Sequence, residues 1–332
     1  MVVNPVFELS MVLSNDKFHK LLSKISDKTD CLEESDEGYI DRLLATSGIT
    51  VIYRNSQYKK KVKLNVNPQV LLGGNDFDSE KLVRKLCKRI DEYFCKQYSL
   101  RDFELSKVVL TADVDVYNRE NVSAYLKVLQ RIGKIKGFSP VSYDCFDKGT
   151  SFCLEGNSND VEFLTYDLEK ALLGHLGTKS RGKKRLRSML EKTKGVLRAE
   201  VRLTTPKAIT SYTDTADVVE QISEITDKYK DVFFEVLAQI IPFGDFYKKD
   251  KAVEIIRRNV SNCVLRRKML RLVALIPEKK SLWLAQREMA CRDMDAVMKE
   301  FAKIDLSPVT ISKRHNAKHL NNIYSYFEIN SY

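Results

Sequence analysis

Two segments alternate apolar and charged residues at a period of two, and they restrict the architectures open to this chain. KVVLTADVDVY (107–117) begins as an apolar run and then alternates; GVLRAEVRLTT (195–205) alternates along its length. That period belongs to a β-strand, in which successive side chains point to opposite faces of a sheet. A helix would scatter the same residues around its circumference. The chain is therefore expected to carry a sheet. On one of its strands Asp113 and Asp115 share a face. On another Arg198, Glu200 and Arg202 share a face. A strand carboxylate flanked by two arginines is either an ion-paired outer face or the wall of an active site.

Further strands are expected over 3–13, 48–54 and 60–66, with Pro68 closing the last. LLGGND (71–76) reads as a turn into a helix on which Leu82, Leu86, Ile90 and Phe94 recur at spacings of four. Residues 119–132 also have helical period. SFCLEG (151–156) and DVEFLTYDLE (160–169) read as strands, with a helix taking over near Asp167. Beyond 205–215 the period becomes helical, over 215–241, 250–276 and 281–304. The expected fold class is α+β. An antiparallel-sheet domain with flanking helices would span 1–210, followed by an all-helical domain over 211–332.

Composition narrows the function classes. Lys plus Arg number 56 against 45 Asp plus Glu, a net charge of +11, which suits a polyanionic partner such as nucleic acid. The excess is concentrated. Residues 178–198 carry Lys179, Arg181, Lys183, Lys184, Arg185, Arg187, Lys192, Lys194 and Arg198 against the single acid Glu191. Such a loop or short helix can hold phosphates, and neutralising Lys183, Lys184 and Arg185 is expected to weaken DNA binding and flatten its salt dependence. A second cluster, Arg257, Arg258, Arg266, Arg267, Lys268 and Arg271, fits an amphipathic helix as well as a DNA-reading one. The seven cysteines are odd in number and lack C-x-x-C spacing, which argues against a disulfide framework or zinc ribbon. No run of apolar residues is long enough for a membrane span, and the start lacks the pattern of a signal peptide, so a cytoplasmic location is expected.

Few motifs carry chemistry. The sequence has no phosphate-cradling glycine loop and no G-x-S-x-G elbow. His315 and His319 have a spacing that would share a helix face, but no acid stands beside them, so they read as a polar or phosphate-facing end of the chain. What remains is the strand-borne set of acids, together with Tyr166 where a strand passes into a helix.

On these residues the chain resembles the filamentous-phage replication endonucleases, the initiators of rolling-circle replication. The matching pieces come in order: VKLNVNPQVLLGGNDF (62–77), the aspartate-bearing strand KVVLTADVDVY, the tyrosine segment EFLTYDLEKAL and the strand GVLRAEVRLTTPKAI. The likeness covers about residues 60–210. The sequence departs from the family in having Ala112 and Asp113 where an arginine precedes the aspartate, and in lacking a His-hydrophobic-His pair. The resemblance implies a metal-dependent nicking and joining enzyme acting on origin DNA. Tyr166 would be the nucleophile, forming a 5′-phosphotyrosine and a free 3′-OH. Asp115 and Glu200, with Asp113 as a further ligand, would hold Mg²⁺ or Mn²⁺. Arg198 and Arg202 would contact phosphate or orient Glu200, and Lys170 would lower the pKa of Tyr166. Host helicase or polymerase and a second copy of the chain are the implied partners, with no membrane involved. Two alternatives stand beside this reading. One is a non-catalytic DNA-binding regulator, which would need the basic clusters but not Glu200. The other is a tyrosine recombinase, suggested by Arg314, His315 and Tyr324 and opposed by the β-rich region around Tyr166.

Overall fold

The computed structural model describes residues 3–27, 31–35, 38–158, 160–175 and 184–328. The chain opens with strand β1 (Val3–Leu13), whose Phe7 and Leu9 are fully buried, and helix α1 (Asn15–Ser26), which turns Phe18, Leu21 and Ile25 inward. Two short strands, β2 (Leu32–Ser35) and β3 (Gly38–Asp41), lead to an antiparallel pair, β4 (Ile49–Asn55) and β5 (Lys60–Val66). Their register sets Tyr53 opposite Val62 and Val51 opposite Leu64, all buried. Pro68 does end β5, and it does so by starting the short helix α2 (Pro68–Leu72). The Asn67 side chain caps that helix by accepting from the Val70 N–H. Helix α3 (Ser79–Tyr93) begins after Asp78, whose carboxylate accepts from the Lys81 N–H, and buries Leu82, Leu86 and Ile90 as their spacing predicts.

Strand β6 (Glu104–Asp115) is followed by helix α4 (Arg119–Gln130), capped by Asn118. Strands β7 (Phe138–Pro140), β8 (Ser151–Gly156) and β9 (Val161–Asp167) come next. β9 passes without a break into helix α5 (Leu168–His175). Helix α6 (Lys184–Thr193) and Gly195 precede strand β10 (Val196–Leu203). From there the chain is helical: α7 (Pro206–Thr210), α8 (Val218–Ile240), α9 (Lys249–Asn259), α10 (Cys263–Lys279), α11 (Leu282–Met289) and α12 (Met294–Lys303). The paired two-residue strands β11 (Phe246–Tyr247) and β12 (His319–Leu320) and an irregular stretch over 304–318 interrupt this helical part. No helix among the described residues is long and apolar enough to cross a membrane.

Packing divides the chain into two compact units that are interleaved in sequence. The first comprises Val3–Thr111 with Arg202–Phe233, and its strands run in the order β2-β3-β4-β5-β1-β6. Its pairings β2–β3, β3–β4, β4–β5 and β1–β5 are antiparallel, as the α+β reading requires. Inside it the Tyr93 hydroxyl donates to buried Asp41 at 2.6 Å and meets the Tyr53 hydroxyl at 2.9 Å.

The second unit comprises Ala112–Val201 with the chain from Phe234 onward. Here the strand order is β10-β9-β8-β7, with β8 antiparallel to both β7 and β9. Secondary structure changes character near residue 210, as expected, but compactness does not follow that boundary. The reason lies on α4 and the segment after it, whose partners come from the far end of the chain. The Tyr125 hydroxyl donates to the Asn321 carbonyl at 2.9 Å. The Leu282 N–H donates to the Ile132 carbonyl at 2.8 Å, and the Ser281 hydroxyl to the Lys134 carbonyl at 2.9 Å.

Candidate active site

The site is built on β9, residues 196–201 of β10 and the last residues of β6, all in the second unit. Along β10, Leu197, Ala199, Val201 and Leu203 are completely buried, which turns Val196, Arg198, Glu200 and Arg202 to the other face. On β6, burial of Ala112 and Val114 turns Asp113 and Asp115 outward in the same way. β10 lies between β6 and β9. Sheet alternation thus brings the residues singled out by sequence into neighbouring rows.

Tyr166 and Glu200 meet directly. The Tyr166 hydroxyl donates to Glu200 Oε1 at 2.5 Å, with the tyrosine 7% and the glutamate 6% exposed. Tyr166 belongs to an apolar cluster with Cys153, Leu164, Leu168 and Val196, and its ring lies 4.6 Å from that of Phe146, centroid to centroid. Burial pushes the phenol's pKa up, the charge and hydrogen bond of Glu200 push it further, and Arg198 pulls weakly the other way. Tyr166 is therefore a neutral phenol at neutral pH. Its proton already points at a carboxylate, the arrangement a general base needs.

Arg198 is held by Asp113 through two hydrogen bonds, Nε to Oδ1 at 2.6 Å and Nη2 to Oδ2 at 2.8 Å. Burial works against its charge, but the paired carboxylate more than offsets this and raises its pKa. Asp115 accepts from the Tyr117 N–H at 2.8 Å. Asp113, Asp115, Lys192 and Arg198 line a cavity of about 540 Å³ beside Leu168 and Val196.

The expected metal ligands do not form one set. Glu200 is turned to Tyr166, Asp113 to Arg198 and Asp115 to a backbone N–H. Among the described residues no group of three potential ligands is gathered. Asp113 and Asp115 do open on the same cavity, and their oxygens suit a hard divalent cation.

The remaining predicted residues fall as follows. Lys170 lies on α5 with its ammonium 3.6 Å from Asp167. Arg202 continues the Glu200 face of β10 and is half-buried. Lys194 is exposed and pairs with Glu191. Lys179, Arg181 and Lys183 lie outside the described residues. Lys184, Arg185 and Arg187 fall within α6, and their side chains lie outside the description. His315 and His319 share no helix face. His319 is on β12, where its Nε2 lies 2.7 Å from Asp245 Oδ2 and its ring stacks on Tyr247, whereas His315 sits in a turn.

Sequence reasoning missed two parts of the site. Arg119 forms a two-point pair with buried Glu169, one turn beyond Tyr166 on α5. Phe146, from the segment between β7 and β8, covers Tyr166. The alternating acids of YDLE were a visible signal for the first; an irregular segment gives none for the second. Comparison of the chain with protein-family models gives no match, and no curated protein matches it.

Proposed function

We propose that the chain nicks and rejoins DNA, with Tyr166 as nucleophile and Glu200 as the base that receives its proton. The observation carrying this reading is the 2.5 Å hydrogen bond from the Tyr166 hydroxyl to Glu200, made on the sheet face that also bears Arg198. In the step proposed, the phenol oxygen attacks phosphorus, and its proton passes to Glu200. The bond from phosphorus to O3′ breaks, leaving a 5′-phosphotyrosine, and the departing oxygen takes up a proton to become the 3′-OH. Reversal of the same step rejoins the strand without an outside energy source. Arg198, kept cationic by Asp113, is placed to offset phosphate charge. A Mg²⁺ or Mn²⁺ ion would find oxygen donors in Asp113 and Asp115, and no step above passes through it.

The reading implies a cytoplasmic protein whose product is extended by a host polymerase with a helicase, and a second copy of the chain is a further implied partner. A second reading, a DNA-binding regulator without chemistry, is favoured by the burial of Tyr166 beneath Phe146.

The deciding experiment incubates the chain with Mg²⁺ and a supercoiled plasmid carrying the DNA that flanks its gene. A nick with protein attached to the 5′ end is the expected outcome. Binding with no nick and no adduct selects the regulator. Nicking by Tyr166→Phe at the wild-type rate removes Tyr166 as the nucleophile.

A further inference from the structure

Tyr117 has the least expected conformation near the site. It is 75% exposed, and its φ of 73° places a residue with a bulky side chain in the left-handed region. Such a conformation is costly for a non-glycine residue and persists only where its surroundings hold it. Here they do. The Tyr117 N–H donates to Asp115, and the preceding Val116 N–H donates to the Gly195 carbonyl at 2.8 Å. Gly195 itself, at φ 77°, passes so close that an added Cβ would lie 2.8 Å from the Asn118 nitrogen. The turn between β6 and α4 therefore displays an aromatic ring to solvent, next to the acids that line the cavity. One edge of that ring approaches Tyr326, with centroids 6.4 Å apart.

Beyond the turn, Arg119, Ser123 and Lys127 follow at helical spacing along α4 and line a pocket of about 360 Å³ with Arg314 and His315. Glu120 is the acid in that lining. Arg119 is already committed to Glu169. Lys127 and Arg314 are exposed and have no acidic partner among the described residues. His315 Nδ1 accepts from the Ala317 N–H at 3.3 Å, which leaves Nε2 as the N–H donor of the neutral ring. Burial and the charges of Lys127 and Lys248 push the His315 pKa down, against a smaller opposing pull from Glu120. The pocket thus has a positive field and suits an anion.

We propose that a single strand of nucleic acid runs from the cavity of Asp113 and Asp115 over Tyr117 into this pocket, with a base stacked on Tyr117 and a phosphate held by Lys127, Arg314 and His315. An exposed ring followed by a cationic pocket is the combination that tracks unpaired strands, because every base offers a π-face and every linkage a charge. In a duplex the bases are already stacked and the ring would have no face to meet. The inference rests on the nucleic-acid reading of the neighbouring site, and it names the form and path of the ligand.

The test measures binding of a fluorescent oligothymidine, and of a duplex of equal length, to full-length Tyr166→Phe protein, which holds the strand without cleaving it. The expected result is tighter binding of the single strand. Tyr117→Ala should weaken it by roughly five- to a hundred-fold, and Tyr117→Phe should not. Lys127→Gln with Arg314→Gln, both at exposed positions, should weaken it too and lower the slope of log affinity against log salt by about 1.4. That pair decides the matter should Tyr117→Ala disturb the turn. Duplex bound as tightly as single strand, or variants that bind like the parent, would overturn the proposal. Wild-type nicking is assayed alongside: its absence with these binding effects intact sinks the catalytic reading and leaves the strand path standing.

Discussion

Tyr166 and Glu200 are each buried, and a hydrogen bond joins them there. Glu200 is 6% exposed, and the phenol gives it a short hydrogen bond. Tyr166→Phe therefore has two expected effects. Covalent adduct and nicking should disappear. Thermal or denaturant unfolding should also show a loss of about 1–3 kcal/mol, because the buried hydrogen bond between the phenol and Glu200 is removed. Glu200→Gln separates the two, since an amide oxygen still accepts the hydrogen bond but is a poor base. It should unfold close to wild type while nicking falls by roughly 10²–10⁴-fold. A Glu200→Gln chain that nicks normally would remove the base from the mechanism. The faces of these residues were legible in the sequence because strand period fixes them. Their partners were not. Arg198 is bound by Asp113 across two strands, and Lys170 turns back to Asp167. Pairing of that kind depends on strand order, which a single sequence does not carry.

At the level of elements, most long strands and helices followed their periods, but the helical stretches 250–276 and 281–304 are each split in two, at 260–262 and 290–293. β1, β5, β8, β9, β10 and α4 all lie where alternation or helical spacing places them, and β9 gives way to α5 directly after Asp167. The short elements had no period to read. β2 and β3 are four residues each and exist through pairing with each other and with β4. α2 is set by an asparagine cap and an N-terminal proline rather than by an apolar repeat. The turn linking β6 to α4 depends in the same way on Gly195, a residue distant in sequence. Gly195→Ala meets two penalties there: a left-handed φ and a Cβ pressed against the Asn118 backbone. The expected outcome is a loss of about 1–2 kcal/mol in unfolding free energy, from the conformational cost alone at the low end. Strand binding should fall with it as Tyr117 is displaced. Unchanged unfolding would mean that the turn does not lean on Gly195.

Across the whole chain, sequence order and packing part company. The helical segments beyond 210 read as a domain of their own, yet residues from Phe234 on complete the unit that contains the candidate site. Local periodicity could not reveal this, because the contacts that decide it join α4 to residues nearly two hundred positions away. A fragment ending at residue 210 would leave the Tyr125 face of α4 uncovered. It should lack a cooperative thermal transition, whereas the full chain should show one. A fragment that melts cooperatively and still forms the adduct would restore the simpler two-part division.

The same packing sets how the fold responds to alkali. Tyr53, Tyr93, Tyr125, Tyr166 and Tyr324 all have phenols pushed above the ordinary value of 10.0, in each case chiefly by burial. The unfolded chain ionises these groups near pH 10, while the folded chain keeps them protonated. Above that pH the unfolded state binds fewer protons than the folded one, so stability must fall as pH rises. Below it both states hold their phenolic protons, and these groups add no slope. The contribution is therefore complete at neutral pH and lost on the alkaline side. Circular dichroism and tyrosinate absorbance followed together through an alkaline titration test this. The buried set should ionise only in step with the loss of secondary structure. Ionisation of all tyrosines near pH 10 with the circular dichroism unchanged would show that the phenols are not held as described, and Tyr166 would then be easier to deprotonate than its surroundings imply.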